Sequence, residues 1–262
     1  MSDPLLYIAA GLLVGILVGL TGVGGGSLMT PLLMLIFGQS PTTAVGTDLA
    51  FAAVTKVAAT ASFGYSRRVD WRIVRGLALG SLPGAVLALG WFYLAPNPLI
   101  VDHLITRTLA MMLAVTAVGL LLQHRLRNLG VQLAAALARA EHHKRLLTIA
   151  AGFLIGVGVT LTSVGAGALG TVALVWLYPL RLPADRLVAT DIAHALPLTV
   201  VAGAGHAALG HLNLPVLACL LVGSIPGILL ASRVVIHLPQ VITRTLVAVM
   251  LVVAAGRVVF TG

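Results

Sequence analysis

Residues 20–31, LTGVGGGSLMTP, decide how this chain folds, because they place four glycines within five positions of a long apolar run. Glycine inside a helix costs about 1 kcal/mol relative to alanine. A peptide group without a hydrogen-bond partner in hydrocarbon costs several kcal/mol more. We therefore expect a break in the helix here, held by an interaction that offsets this cost.

The composition is that of a multi-pass membrane protein. Of 262 residues, 59% are hydrophobic and 9% are charged, and the mean hydropathy is +1.08, far above that of a soluble domain. The N-terminus carries Asp3 and lacks a basic stretch, so we expect no cleaved signal peptide. We predict an all-α protein of the cell (inner) membrane. Its clear spans are 42–64, 73–95, 99–122, 184–209, 214–237 and 241–260.

The two halves of the chain resemble one another. GVGVTLTSVGAG at 156–167 is similar to GILVGLTGVGGG at 15–26, with an offset of 141 residues. VATDIAHA at 188–195 is similar to VGTDLAFA at 45–52, with an offset of 143, and a GSxPG motif recurs with the same offset. These similar motifs occur in the same order in both halves and at nearly constant offsets, which predicts an internal repeat. Internal repeats are typical of secondary transporters.

The first segment of each half is compatible with two topologies. Residues 4–38 as one helix would be roughly 52 Å long, more than a bilayer core requires. In one topology this segment is a re-entrant hairpin with arms at 4–20 and 27–37, which gives three full crossings per half and inverts the second half. In the other it is a tilted crossing, which gives four crossings per half and leaves the halves parallel.

The basic residues favour the hairpin topology. The net charge is +9, and in membrane proteins Lys and Arg accumulate on the cytoplasmic side. With Lys56 left out, the hairpin topology places thirteen basic residues on one side and two on the other, whereas four crossings per half give ten and five. We relate the charge to orientation and expect no nucleic-acid partner.

A polar segment separates the two halves. Residues 123–145 contain five basic residues and one acidic residue, too many charges for a span. We interpret this segment as a cytoplasmic linker able to form a helix on the membrane surface. It divides a first transmembrane repeat, 1–122, from a second, 146–262.

The motifs of this chain resemble those of a known family. GLTGVGGG at 19–26, AVGTDLAFAAVTKVAATASFGYSRRVDW at 44–71 and GSLPGAVLA at 80–88 have weaker copies in the second half. This pattern is similar to that of the sulfite exporter TauE/SafE family, also called the 4-toluene sulfonate uptake permease family. The resemblance covers essentially the full chain. It implies a membrane transporter of sulfur-containing anions such as sulfite, sulfonates or sulfoacetate.

The two glycine-rich turns form a candidate anion site. Glycine lets the chain turn sharply and brings peptide N–H groups close to a ligand. A half-helix N-terminus attracts negative charge, and hydroxyl groups add donors suited to oxyanions. The candidate substrate-binding residues are Thr21, Gly22, Gly24, Gly25, Gly26, Ser27, Thr47, Lys56, Thr162, Ser163, Gly165, Gly167 and Thr190.

Three ionisable residues in apolar segments are further candidates. Asp48 and Asp191 hold equivalent positions, each after a threonine. Carboxylates inside a membrane usually face a cavity or a partner, so we predict that one of them carries a coupling proton; local helix capping is the other interpretation. Lys56 follows Asp48 by two helical turns on the same face. It either attracts the anion or forms an internal ion pair with Asp48.

Two histidines occur in one predicted span. His194 and His206 are twelve residues apart. Histidine can relay protons, but packing or an interfacial position is the simpler interpretation. Their spacing to acidic residues and to the single Cys219 does not suit a metal site, so we expect no metal and no cofactor.

The leading hypothesis is a secondary active transporter that moves a small sulfur-containing anion by alternating access. A different class is an integral membrane enzyme or maturation factor that handles a sulfur compound without transport. The sequence contains no nucleophile and base pair at recognisable spacing and no Walker-type loop, so we do not expect an enzyme. The expected partners are the anion and the lipid bilayer, with a monomer and a homodimer both open.

Overall fold

The fold consists of α-helices throughout the described part of the chain. The structure is a computed structural model, which describes residues 3–21, 26–63, 68–95, 97–137, 141–165, 167–234 and 240–261. The helices are α1 (Pro4–Thr21), α2 (Gly26–Leu35), α3 (Pro41–Phe63), α4 (Trp71–Leu94), α5 (Pro98–Leu121), α6 (Gln123–Leu137), α7 (Glu141–Thr162), α8 (Ala168–Leu177), α9 (Ala184–Ala208), α10 (Leu214–Val234) and α11 (Gln240–Thr261). The predicted all-α class is confirmed.

Within the described ranges, five helices are long and apolar enough to cross a membrane. They lie at Trp71–Leu94, Pro98–Leu121, His143–Thr162, Arg186–Ala208 and Leu214–Ala231. Helix α3 coincides with the predicted span 42–64. It carries Asp48 and Lys56, and this polar content in a helix of spanning length directs attention to its function.

The first segment of each half contains two helices instead of one. In the first half, α1 ends at Thr21 and α2 begins at Gly26, on either side of residues 22–25, which lie outside the described ranges. In the second half, α7 ends at Thr162 and α8 begins at Ala168. Directly after α7, Ser163 has a φ of +58° and Gly165 a φ of +104°. This left-handed backbone ends the helix.

Two pairs of helices from different halves cross at close range. Helix α1 packs along α10, and α7 packs along α4. A side chain added at Gly15 would overlap the backbone of Ser224, and one added at Gly156 would overlap the backbone of Ser81. Small residues permit this approach of helices inside membranes. Each half therefore packs its first helix against a later helix of the other half.

Helices α3 and α9 connect the two halves directly. They pack against each other, with Gly203 of α9 facing the backbone of Ala50 of α3. Helix α3 also contacts α2 and α10, and α9 also contacts α4 and α8. The short helices α2 and α8, which follow the two breaks, therefore each contact one helix of this central pair.

Helix α6 and the first residues of α7 lie within the polar segment between the halves. Helix α6 packs along α8, and its Gly130 approaches the backbone of Trp176. Helix α7 begins at Glu141, within the range assigned to the linker. Lys144 on this first part of α7 lies over the Tyr178 ring, 4.6 Å from its centroid. This cation–π contact stabilises a polar helical extension that hydropathy alone does not indicate.

Candidate functional site

A cluster of buried charges lies on α3 and α9. Asp48 and Lys56 of α3 are 0% and 3% exposed, and Asp191 of α9 is 2% exposed. Such residues inside a membrane protein are costly and are retained where they face one another or a functional cavity. This cluster is the candidate functional site.

The Asp48 carboxylate is bound by the short helix that follows the first break. Its Oδ2 atom accepts a hydrogen bond of 3.0 Å from the backbone N–H of Thr30 and one of 2.6 Å from the Thr30 hydroxyl. Thr30 lies on α2, so the negative charge of α3 is held by donors from the second arm of the broken segment. Sequence reasoning missed Thr30.

The Asp191 carboxylate has an equivalent partner in the second half. Its Oδ2 atom accepts a hydrogen bond of 3.2 Å from the hydroxyl of Thr171, which lies on α8. A side chain at Gly170 would overlap Asp191 Oδ1, so glycine is needed for α8 to approach α9 this closely. Thr171 follows Thr30 by 141 residues, the offset of the repeated glycine motifs. That offset could have identified both threonines from the sequence.

Lys56 interacts with both carboxylates. Its ammonium group lies close enough to Asp191 and to Asp48 for favourable electrostatic interactions with both. The sequence suggested only Asp48 as its partner, because the two share one helix face. The packing of α3 against α9 adds Asp191, which lies 135 positions away in the sequence.

Ser163, at the helix break of the second half, lies near the Asp48 carboxylate of the first half. It is fully buried at the end of α7, and its side chain approaches Asp48. Its hydroxyl nevertheless has no hydrogen-bond partner within the described ranges, and the same holds for the Oδ1 atoms of Asp48 and Asp191. Three buried oxygen atoms of the cluster therefore have no close hydrogen bond from the described residues, although Ser163 lies near enough to Asp48 to stabilise its carboxylate.

Three other predicted hydroxyl residues bind backbone groups. The Thr47 hydroxyl accepts a hydrogen bond of 3.1 Å from the N–H of Asn213, and the Thr190 hydroxyl accepts one of 3.1 Å from the N–H of Asp70. Each of these two threonines thereby anchors the loop that precedes a helix of the other half. The Thr162 hydroxyl donates to the carbonyl of Gly158 at 2.7 Å, within its own helix.

The remaining predicted site residues lie at the two breaks. Gly165 and Gly167 lie in the turn between α7 and α8, where the Gly167 N–H donates to the Gly165 carbonyl at 2.6 Å. Gly26 is the first residue of α2. Gly22, Gly24 and Gly25 lie outside the described residues, and so do the side chains of Thr21 and Ser27.

The two histidines of α9 have separate hydrogen-bond partners. His194 Nε2 lies 2.8 Å from the hydroxyl of Ser81 on α4, and the ring is close enough to Lys56 to interact electrostatically. His206 Nε2 donates to the carbonyl of Thr160 at 2.9 Å. His206 Nδ1 then accepts from His211 Nδ1 at 3.3 Å. His194 therefore borders the charged cluster, whereas His206 caps the last turn of α7.

The long apolar helices and the buried charges define a multi-pass membrane protein with a polar centre. A family model described as "Sulfite exporter TauE/SafE" matches residues 7–258. The chain belongs to this family, which confirms the resemblance found in the sequence. No solved structure matches it.

Curated relatives carry the names of membrane transporters. The chain is 40% identical to the "Probable membrane transporter protein YjnA" of Bacillus subtilis (strain 168) over 231 residues, which cover 86% of this chain and 88% of the relative. It is 27% identical to the "Probable membrane transporter protein YdhB" of the same organism, over 92% of this chain and 94% of the relative. The family and these names indicate a membrane transporter rather than an enzyme.

Proposed function

We propose that the protein is a secondary active transporter that moves a small sulfur-containing anion, of the sulfite, sulfonate or sulfoacetate type, across the cell membrane by alternating access. One observation carries the proposal: elements from both broken segments approach a single buried carboxylate. Thr30 of α2 binds Asp48, and Ser163 at the end of α7 approaches it. Broken helices that meet near buried charges are the usual substrate and ion sites of secondary transporters.

The anion binds at the breaks, close to Lys56. The N-terminal turns of α2 and α8 offer backbone N–H groups, which together with the helix dipole favour a negative ligand. Lys56 adds an amino group that can carry a positive charge within the same buried region. The predicted residues at 21–27 and 162–167 supply the cradle, whereas Thr47 and Thr190 act by anchoring the loops at Asn213 and Asp70.

An inverted repeat gives this site two alternating entrances. The proposal is supported by equivalent contacts between the halves: Gly15 approaches Ser224, and Gly156 approaches Ser81. These residues are related by the offsets of 141 and 143 that connect the repeated motifs. Two hairpins of opposite orientation would then rock around the buried cluster while the anion stays near the midplane.

Transport of an anion past two carboxylates requires a coupled cation. A negative solute is repelled by Asp48 and Asp191 unless their charge is neutralised. Lys56 balances one carboxylate, and a proton on Asp48 or Asp191 is the simplest way to balance the other. The anion then moves together with a positive charge, which couples the two gradients.

Flux measurements in proteoliposomes test this function. We expect the purified protein to accelerate uptake of sulfite, or of a small sulfonate, and an imposed pH gradient to change the rate if a proton is coupled. Absence of flux for sulfite, sulfonates and sulfoacetate would contradict the transport proposal. Flux that ignores the pH gradient would remove the proton while leaving transport intact.

A substitution at Lys56 tests whether this residue belongs to the transport site. Lys56→Met keeps the length of the side chain but removes the charge, so we expect flux to fall by roughly tenfold or more, equivalent to about 1.4 kcal/mol. Lys144→Met is the matched control, because Lys144 contacts Tyr178 away from the cluster. Equal fluxes of the two variants would exclude Lys56 from the site.

A further inference from the structure

An ion pair joins the two halves at the end of the bundle where α4 and α9 begin. Arg181 lies in the segment between α8 and α9, and its Nε atom is 2.8 Å from Oδ2 of Asp70, directly before α4. The side chains of Arg181 and Asp70 are 44% and 9% exposed. The two residues are 111 positions apart and belong to different halves. Because charge-assisted hydrogen bonds are stronger than neutral ones, this contact is suited to holding the halves together at this end.

Asp70 also connects the ion pair to the buried cluster. Its Oδ1 atom accepts hydrogen bonds of 3.2 and 3.4 Å from the N–H groups of Arg72 and Ile73, and so caps α4. Its own N–H donates to the Thr190 hydroxyl at 3.1 Å. Thr190 directly precedes Asp191. The ion pair is therefore separated from the charged cluster by one hydrogen bond and one peptide unit.

The opposite end of the bundle, where α3 and α10 begin, repeats two of these contacts. Asn213 follows Asp70 by 143 positions, and Thr190 follows Thr47 by the same offset. The Asn213 N–H donates to the Thr47 hydroxyl at 3.1 Å. The Asn213 side chain caps α10 by accepting from the N–H of Val216 at 3.3 Å. The cap and the threonine contact therefore occur at both ends.

The ion pair has no counterpart at the equivalent positions of the opposite end. Asn213 carries no charge, whereas Asp70 does. Arg181 lies four positions after the end of α8, and the residues that follow α2, 36–41, include no basic residue. Separating the halves at the Asp70 end breaks a charge-assisted bond, but separating them at the Asn213 end breaks neutral hydrogen bonds. Opening therefore costs more at the Asp70 end.

We propose that Asp70 and Arg181 form a gate that holds one entrance of the transporter closed, so that the two entrances open unequally. This inference rests on the proposed function, because alternating access requires each entrance to open in turn. The resting protein keeps the Asp70 end closed and opens more readily at the Asn213 end. In the inverted topology predicted from the basic residues, the gate lies on the cytoplasmic side. It opens when movement of the halves separates Arg181 from Asp70.

Two matched cysteine reporters measure opening at the two ends. Ile73 and Val216 are 143 positions apart, are 2% and 6% exposed, and lie in the first turns of α4 and α10. In a Cys219→Ala chain, each of them is replaced by cysteine in turn, and its reaction with N-ethylmaleimide is followed in proteoliposomes. A buried group reacts only when its surroundings open, so each reaction rate reports opening at one end.

Variants that break the ion pair should open one end selectively. Arg181→Gln removes the cation, and Asp70→Asn removes the anion but retains a good helix cap. We expect each variant to raise the reaction rate of Ile73→Cys by roughly threefold to tenfold, as for a partly exposed, charge-assisted pair. The rate of Val216→Cys should stay the same or fall. The double variant should not exceed either single variant, because both residues act through one interaction.

A control variant separates the ion pair from the charge of this surface. Arg75→Gln also removes a positive charge near the start of α4, but Arg75 Nε donates to the carbonyl of Trp71 within the same helix. An unchanged rate of Ile73→Cys in both ion-pair variants would overturn the gate. An equal rise in Arg75→Gln, or an equal rise at Val216→Cys, would overturn it as well, since either indicates a general loosening of the protein.

Sulfite flux in the same proteoliposomes separates this inference from the function on which it rests. A rise confined to Ile73→Cys, in a protein that transports sulfite, supports both. The same rise without flux of any tested anion would leave the ion pair as the contact that closes this end but would overturn the proposed function. Sulfite flux with unchanged cysteine reactivity would instead overturn the gate and leave the transporter.

Discussion

At the scale of single residues, equivalent positions of the two halves have different partners. Ser81 on α4 bonds His194, which borders the charged cluster. Ser224, 143 residues later, is buried without a hydrogen-bond partner in the described ranges. The residue equivalent to His194 in the first half is Phe51, which belongs to an apolar cluster with Leu220. Thus one serine belongs to the polar network and its counterpart does not.

Removing the two hydroxyls should have different effects on stability. Ser81→Ala leaves His194 Nε2 buried without its partner, so we expect a loss of about 1–3 kcal/mol in the free energy of unfolding. Ser224→Ala removes an already unsatisfied group, and its effect should stay within about 0.5 kcal/mol. Unfolding of both variants in detergent by a chemical denaturant gives this comparison. A larger loss in Ser224→Ala would show that the Ser81 bond to His194 adds little.

At the scale of helices, the crossings of α1 with α10 and of α7 with α4 depend on glycine. At these positions one helix contacts the bare backbone of the other, so the axes approach closely and dispersion contacts are dense. The crossings hold the first arm of each broken segment in place. The short arms, α2 and α8, are then free to present Thr30 and Thr171 to the two aspartates.

Adding a methyl group at a crossing should therefore be costly. Gly156→Ala places a Cβ atom into the backbone of Ser81, and we expect a loss of about 1–3 kcal/mol from overpacking. Gly90→Ala is the matched control, because Gly90 lies within α4 and nothing lies within 4 Å of an added Cβ. Alanine there should be neutral or stabilising by up to about 1 kcal/mol. Melting temperatures of the two variants test this difference, and equal values would contradict the close crossing.

At the scale of the whole molecule, the two halves pack together and both contribute residues to the buried charged cluster. The first helix of one half packs on a later helix of the other, and α3 packs on α9 between them. The Asp48 environment contains α2 and α3 from the first half and Ser163 from the second. Neither half alone contains the full cluster, so relative movement of the halves would change the access to it. This arrangement is suited to alternating access.

The inverted topology predicts the side on which each terminus lies. In a chain with Cys219→Ala, a cysteine added after Gly262 should react with a membrane-impermeant thiol reagent in intact cells, because three crossings in the second half place it outside. A cysteine at Arg127 on α6 is the control and should be protected in the cytoplasm. Protection of both cysteines would favour four crossings per half and parallel repeats.

The sequence by itself determined the fold class, the family and the approximate positions of the helices. These properties are local: the length of an apolar run predicts a span, and clustered glycines interrupt a helix wherever they occur. Helices α3, α4, α5, α9, α10 and α11 begin within two residues of the predicted spans for this reason. The same local reasoning identified Asp48, Lys56 and Asp191 as charges in apolar surroundings.

Only the tertiary structure decided which of these residues meet. Ser163 approaches Asp48 and Lys56 interacts with Asp191 because α3, α7 and α9 pack together, although each pair is more than a hundred positions apart in sequence. Thr30 was overlooked because a threonine next to a proline in an apolar helix has no distinguishing local pattern, and only its counterpart Thr171 in the second repeat points to it. Contacts of this kind depend on how whole helices cross, and the crossings are set by small residues and burial across both halves, not by the sequence around the site.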